Sequence, residues 1–253
     1  KMSNIAKYSC TALAGTNKAG KLKADEHGYR EMVLGAYDFD NSAGAVYPFE
    51  SAQALFKSSS SLMRRITNGQ CRGEYGHPKP LPGMSNQQYL ERILRIEESA
   101  ICVHFKEVWI DKDNVKDEHG KPVIAVMGKV KPCGPHGPAL EEQLNNTEEN
   151  VAFSVRSLTN DRMVAGKLHK HMKVLVCWDY VNEPGISVAN KYQAPALEGI
   201  SEDIEIVPSM LDVAERHQHS AGVSMENAIS STMVRTELGW SKVQDLSFAS
   251  KGW

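Results

Sequence analysis

The sequence reads as an α+β or closed β architecture, on two observations. Four stretches have strand character, Ser99–Ile110, Pro122–Lys131, Val151–Leu158 and Met172–Val181, and a few helix-like patterns are inserted among and after them. With 253 residues, 41% apolar and 24% charged, the chain has the bulk of an ordinary globular protein: one large domain with appendages.

Residues 1–30 are expected to form a flexible arm, small and polar to about Gly20. A turn is expected from Asp38 to Gly44. Ser51–Ile66 has helical spacing through Leu55, Leu62 and Ile66, weakened by its serines; Arg64 and Arg65 suit the C-terminal end of the helix dipole and Gly69 stops it. After a proline-rich loop over Lys79–Gly83, Asn86–Arg95 fits a helix or a long edge strand. Pro138 near a first turn that carries carboxylates predicts a short helix to Asn146. A turn at Asn182–Gly185 follows the fourth strand. The main domain is placed over 31–192. Residues 193–253 then form a polar extension, docked or processed, with a last helix over Asn227–Leu238.

The formal charge of −2 argues against binding nucleic acid by bulk electrostatics. No apolar run is long enough to span a bilayer, and Lys1–Asn4 does not open a secretory signal. Five cysteines, Cys10, Cys71, Cys102, Cys133 and Cys177, form no C-x-x-C pair and read as reduced thiols of a cytoplasmic compartment. Cys102 and Cys177 lie in apolar runs and read as packing residues.

Two separated stretches carry the chemistry. Gly73-Glu74-Tyr75-Gly76-His77-Pro78 holds a histidine on a restricted backbone, and Phe153-Ser154-Val155-Arg156-Ser157 holds a serine in a strand-like run. Brought together, serine and histidine are the minimum for nucleophilic acyl transfer. Alternation puts Ser154 and Arg156 on one strand face, where the arginine is a candidate to support an oxyanion. Taken singly, each has a plainer reading: a structural loop histidine, a strand serine, a surface arginine. A third member would orient the histidine. Asp179, at the end of Val174–Val181, needs a partner because an unpaired buried carboxylate is costly. His104, inside Ile101–Phe105, is the competing candidate and the more ordinary core histidine.

Taken in order, these features resemble the prohead (procapsid maturation) proteases of tailed bacteriophages, distant relatives of herpesvirus assemblins. That family shows a G-E-x-x-H-P box, a V-S-H segment leading to a tryptophan, a short helix, a V-S-S-R-G segment and an aspartate strand ending near D-P-S. This chain has Gly73–Pro78, Cys102-Val103-His104 with Trp109, Ala139–Asn146, Phe153–Ser157 and Trp178–Pro184. It departs at Val155 and Ser157, which leaves Ser154 as the serine at issue, and it matches loosely at Tyr180 and Glu183-Pro184-Gly185. The resemblance covers roughly Gly73 to Asn190.

The resemblance implies a serine endopeptidase on a twisted, partly closed β-sheet or barrel with surrounding helices. It implies Ser154 as nucleophile and His77 as general base. Asp179 is preferred as third member, because in assemblin-like enzymes that member follows the nucleophile on the next core strand. Assemblins use a second histidine there, which keeps His104 open. The implied partners are scaffolding or core proteins and the major capsid protein, with a homo-oligomer expected and no cofactor or metal. The implied location is the host cytoplasm, inside the viral prohead. Self-processing is expected, with Gly199-Ile200-Ser201-Glu202 a candidate site against the plainer reading of an acidic linker.

Three rival readings stand beside this one. His169/His171 and His217/His219 are His-x-His pairs that can bind zinc, though both lie in polar surroundings that suit solvated histidines. A catalytically silent capsid-assembly or scaffold protein on the same fold is the non-enzymatic alternative. A nucleic-acid module is the weakest, since Lys18, Lys21, Lys23, Arg64, Arg65, Lys167 and Lys170 are scattered.

Overall fold

The computed structural model describes residues 5–11, 17–18, 23–39, 44–117, 119–146, 148–181, 204–220 and 228–240. In chain order the strands are β1 (Ala6–Thr11), β2 (Asn17–Lys18), β3 (Arg30–Tyr37), β4 (Ala45–Val46), β5 (Arg72–Glu74), β6 (Ile101–Asp111), β7 (Ile124–Pro132), β8 (Asn150–Val164), β9 (Lys167–Val181) and β10 (Glu205–Ile206). The helices are α1 (Phe49–Ala52), α2 (Ser61–Thr67), α3 (Asn86–Ile93), α4 (Gly137–Asn145), α5 (Pro208–Ser220) and α6 (Ser231–Glu237).

The strands form two sheets. One runs β10-β1-β8-β9-β4, with β2 pairing the start of β8; the other runs β3-β7-β6-β5. The backbone of the first sheet is the β8–β9 hairpin, whose turn residues Ala165 and Gly166 lie at φ 48° and 81°, as a two-residue turn matched to strand twist requires. Side-chain alternation along the hairpin builds two cores. Phe153, Val155, Trp178 and Tyr180 pack toward Val103, Phe105 and Val130 of the second sheet. Leu158, Val174 and Cys177 pack against Leu90 and Ile93 of α3 and Leu211 and Val234 of α5 and α6.

Among the described residues the expected partly closed barrel is not formed: both sheets stay open, and a parallel bridge joins Tyr75 to Tyr180. Side chains occupy edge groups of β9 that closure would use. Arg65 donates from Nη1 to the Val176 carbonyl (2.6 Å) and from Nη2 to that of Leu175 (3.0 Å), and Ser51 Oγ accepts from the Met172 amide (3.2 Å).

At both ends of the chain the described residues pack into the fold. The arm contains β1, an inner strand that pairs Ala6 with Ile206 and Lys7 with Thr159. In the 193–253 extension, Ile204, Ile206, Leu211, Ile229, Val234, Leu238 and Trp240 are buried in the second core. The described part is therefore integral to the fold, and a polar average hid its apolar periodicity. The expected helix over Ser51–Ile66 breaks because Ser60 acts twice: its hydroxyl donates to the Leu55 carbonyl (2.6 Å) and accepts from the Met63 amide (3.1 Å), capping α2. Asn86–Arg95 resolves as a helix, started by a capping box of Ser85 and Gln88. The Asn182–Gly185 turn and the Gly199–Glu202 stretch lie outside the described residues.

Candidate active site

The Gly73–Pro78 box lies across the end of β9, and each residue has a placement. Gly73 sits so close to the neighbouring strand that a Cβ there would fall 2.0 Å from the Trp178 carbonyl oxygen. The Glu74 amide donates to Asp179 Oδ1 at 3.0 Å. Tyr75 makes the bridge to Tyr180, and its ring lies 4.8 Å from that of Tyr180 and 5.3 Å from that of His136. Gly76, at φ 88°, donates to the Tyr180 carbonyl at 2.8 Å. The Pro78 carbonyl accepts from the Tyr89 hydroxyl at 3.0 Å, which ties the loop to α3. The chain turns between these anchors and presents His77.

His77 Nδ1 lies 2.9 Å from Asp179 Oδ2. Burial alone would raise the proton affinity of the Asp179 carboxyl. The Arg156 charge and the His77 hydrogen bond outweigh burial and hold the group well below the usual carboxylate range. Asp179 is therefore ionised, so Nδ1 carries the hydrogen and Nε2 of the neutral ring has the lone pair of a base. Ser154 is directly opposite Asp179 in the β8–β9 register, on the same sheet face, and is 3% exposed. The topology thus gathers His77, Ser154 and Asp179 at one place. His104 is engaged elsewhere: Nδ1 meets the Tyr29 hydroxyl at 3.0 Å and Nε2 donates to the Gly69 carbonyl at 3.0 Å.

Arg156, the candidate oxyanion support, has its guanidinium turned to carboxylates and backbone carbonyls. It is fully buried, and its guanidinium donors are spent. Nε and Nη2 form a fork on Asp179 (2.9 and 2.8 Å), Nη1 donates to the Ile93 and Arg95 carbonyls (3.2 and 3.1 Å), and Nη2 also lies 3.2 Å from Glu74 Oε1. Same-face alternation put it near Ser154 correctly, but the carboxylates across the sheet hold the side chain. Glu74, 1% exposed, takes a second fork from Arg92 of α3 (2.9 and 2.6 Å) and accepts the Glu97 amide (2.8 Å). The part played by Glu74 and Arg92 was not legible in the sequence. Glu74 carried a signal, a carboxylate in an otherwise small and aromatic box, but an arginine 18 residues later on a helix announces no pairing.

The other histidines fall outside this site. His169 and His171 lie on β9 with rings 6.3 Å apart. His217 and His219 lie on α5, where a two-residue spacing points them apart, and His217 Nδ1 pairs with Glu91 at 2.9 Å. Among the described residues no group of three or more His, Cys, Asp or Glu is placed to hold a metal ion, and no helix is long and apolar enough to cross a membrane.

A serine on one strand, a carboxylate opposite it and a histidine held by that carboxylate meet at this end of the hairpin, and the comparisons with known proteins give the class: the chain is a peptidase. It belongs to the peptidase S80 family, whose model matches residues 8–236. It is 37% identical, over 236 residues, to the capsid maturation protease of Pseudomonas phage phiKZ, a match that covers 90% of this chain and 86% of that protein. Among solved structures it is similar to the bacteriophage T4 capsid assembly protease, at 16% identity and a TM-score of 0.47 over 71% of this chain and 99% of the other.

Proposed function

We propose that this peptidase is a serine endopeptidase of phage prohead maturation that cuts scaffolding or core and capsid proteins, and its own chain, inside the assembling shell. The observation that carries the chemistry is the hydrogen bond of His77 to a buried, ionised Asp179 directly across from Ser154. His77 Nε2 takes the Ser154 proton as Oγ attacks the scissile carbonyl, and Asp179 holds the imidazole in orientation and stabilises the imidazolium. With Arg156 spent on carboxylates, backbone N–H groups hold the oxyanion. His77 then protonates the leaving amine, and water releases the acyl group from Ser154. In assemblin-like chemistry a histidine fills the third place; here the hydrogen bonds of His104 to Tyr29 and Gly69 support Asp179 as the third member. With Ser154 3% exposed, a peptide reaches it only when its surroundings move aside.

Kinship with the phiKZ capsid maturation protease supports capsid-related protein substrates. The test is intact-mass analysis of the wild type and Ser154→Ala, each incubated with the scaffold and capsid precursors of its own phage. Defined cuts by the wild type alone support the proposal. Equal cutting by both removes Ser154 from the mechanism, and cutting by neither favours the silent assembly protein.

A further inference from the structure

The site contains two ionisable groups that the mechanism above does not use. Arg156 and Glu74 are both buried, and both sit on the carboxylate that holds His77. Arg156 forks onto Asp179 through Nε and Nη2 (2.9 and 2.8 Å). Its Nη2 is shared with Glu74 Oε1 at 3.2 Å, and Arg92 forks onto Glu74 from the far side. Two carboxylates and two guanidinium groups thus form a cluster with no net charge while His77 is neutral.

A carboxylate fully neutralised by one arginine would hold an imidazolium weakly. A second carboxylate drawing on the same guanidinium returns negative field to the first. We propose that Arg156 and Glu74 are positioning residues that set the proton affinity of the His77–Asp179 pair from opposite sides: Arg156 fixes the carboxylate and lowers that affinity, and Glu74 offsets Arg156 and raises it. This rests on the reading of His77 as the base. Among the described residues the thiols of Cys177, whose Sγ lies 3.4 Å from Asp179 Oδ1, and Cys102 also face the pair. Burial pushes both thiols up, so both stay neutral and add no charge. The Arg92 charge reaches the pair through Glu74.

The sign of each variant follows from Coulomb's law and does not depend on where the pair keeps its proton. Removing the Arg156 charge raises the pH at which the pair takes up a proton; removing the Glu74 charge lowers it. A shift of about one pH unit is expected in each direction, and the double variant should return toward wild type. Arg156→Lys keeps the charge and loses the fork, so its midpoint should stay near wild type while its rate falls.

The measurement is an NMR titration of the His77 ring in full-length Ser154→Ala protein, alone and with Arg156→Gln, Glu74→Gln or both. His77→Gln identifies the signal among the nine histidines. Opposite shifts that cancel in the double variant support the proposal. Equal midpoints, or shifts of the same sign, overturn it, since a merely structural role destabilises both variants without moving the midpoints apart. If Arg156→Gln does not fold, Glu74→Gln and Arg156→Lys still decide. In parallel, the rate of fluorophosphonate labelling of Ser154 is followed against pH in the chain with Ser154 intact. No labelling of the wild type counts against the catalytic reading, whereas labelling with an unmoved pH midpoint in Glu74→Gln counts against the clamp alone.

Discussion

The two ends of the β8–β9 hairpin carry similar residues and treat them in opposite ways. At the inner end Ser154, Arg156 and Asp179 are 3%, 0% and 0% exposed. Toward the turn, Arg162, Lys167, His169 and His171 lie on the same two strands but reach water, and Met163 at the tip is 67% exposed. Lys170, 8% exposed, is the exception at this end: it pairs with Asp161 at 3.5 Å, and Asp161 also accepts from the Thr159 hydroxyl at 2.8 Å. Charge is tolerated at the inner end because donor and acceptor are matched almost bond for bond; for the exposed Arg162 and Lys167 at the outer end, water does the matching. A buried charged cluster depends on every member, and a solvated one on none.

The largest effect should come from Gly73→Ala. The added methyl would meet the Trp178 carbonyl at 2.0 Å, and backbone cannot swing aside as a side chain does. A cost of at least about 3 kcal/mol is expected, visible as loss of soluble, cooperatively folding protein. Gly69→Ala tests a position where the space is open and only the backbone conformation resists, and its cost should be smaller. Arg156→Met comes next, because it leaves Asp179 and Glu74 buried with one partner fewer. About 3–5 kcal/mol is expected by urea unfolding. The matching change outside, Arg162→Met, should cost less than about 0.5 kcal/mol. Equal costs would erase the contrast between the two ends.

These residues also show how far the sequence could be read. The four strands of the central region and the helix over residues 138–146 follow from periodicity and from Pro138, so local pattern sufficed. His77, Ser154 and Asp179 were singled out by their segments and by the family resemblance, and the structure sets Ser154 opposite Asp179 with His77 Nδ1 2.9 Å from that carboxylate. Arg156 was placed on the right face and given the wrong partner, because alternation fixes a face but not what lies across it. The N-terminal strand was missed for a related reason. Ala6–Thr11 is short and not apolar throughout, and it becomes a strand by pairing with β8 and β10, one of them some 150 residues away and the other nearly 200. The ends of the chain read as appendages because their apolar residues are spread thinly along them. Only the fold gathers Ile206, Leu211 and Val234 into one core.

The inner end should also show in the acid limb of stability. The Asp179 carboxyl is depressed in the folded state, since Arg156 and His77 outweigh the burial that would raise it. The unfolded chain, with that group near 3.8, therefore binds the proton more readily. The contribution is present in full above that value and is lost as the pH falls below it toward the folded-state value. Thermal unfolding of the wild type should weaken steeply there. Asp179→Asn should start lower at neutral pH and show a flatter acid limb, and an equally steep limb would mean that other carboxylates govern it.

The smallest effect belongs to the outer end. Burial first, then Arg162, Lys173 and His169, lower the proton affinity of His171 in the folded state. The unfolded ring, near 6.5, takes up its proton first, so stability should slip as the pH falls below that value. Water screens a half-exposed ring, and the loss should stay below about 0.5 kcal/mol. His171→Gln should remove the slope without changing stability at higher pH. The same strand carries His169, so the double variant His169→Gln/His171→Gln also asks whether this end holds a metal. Stoichiometric zinc should leave the melting temperature of the wild type where it is. A rise with zinc that the double variant abolishes would make the outer end a site in its own right, and the difference between the two ends would then lie in which ligand completes each charged cluster rather than in whether one is needed.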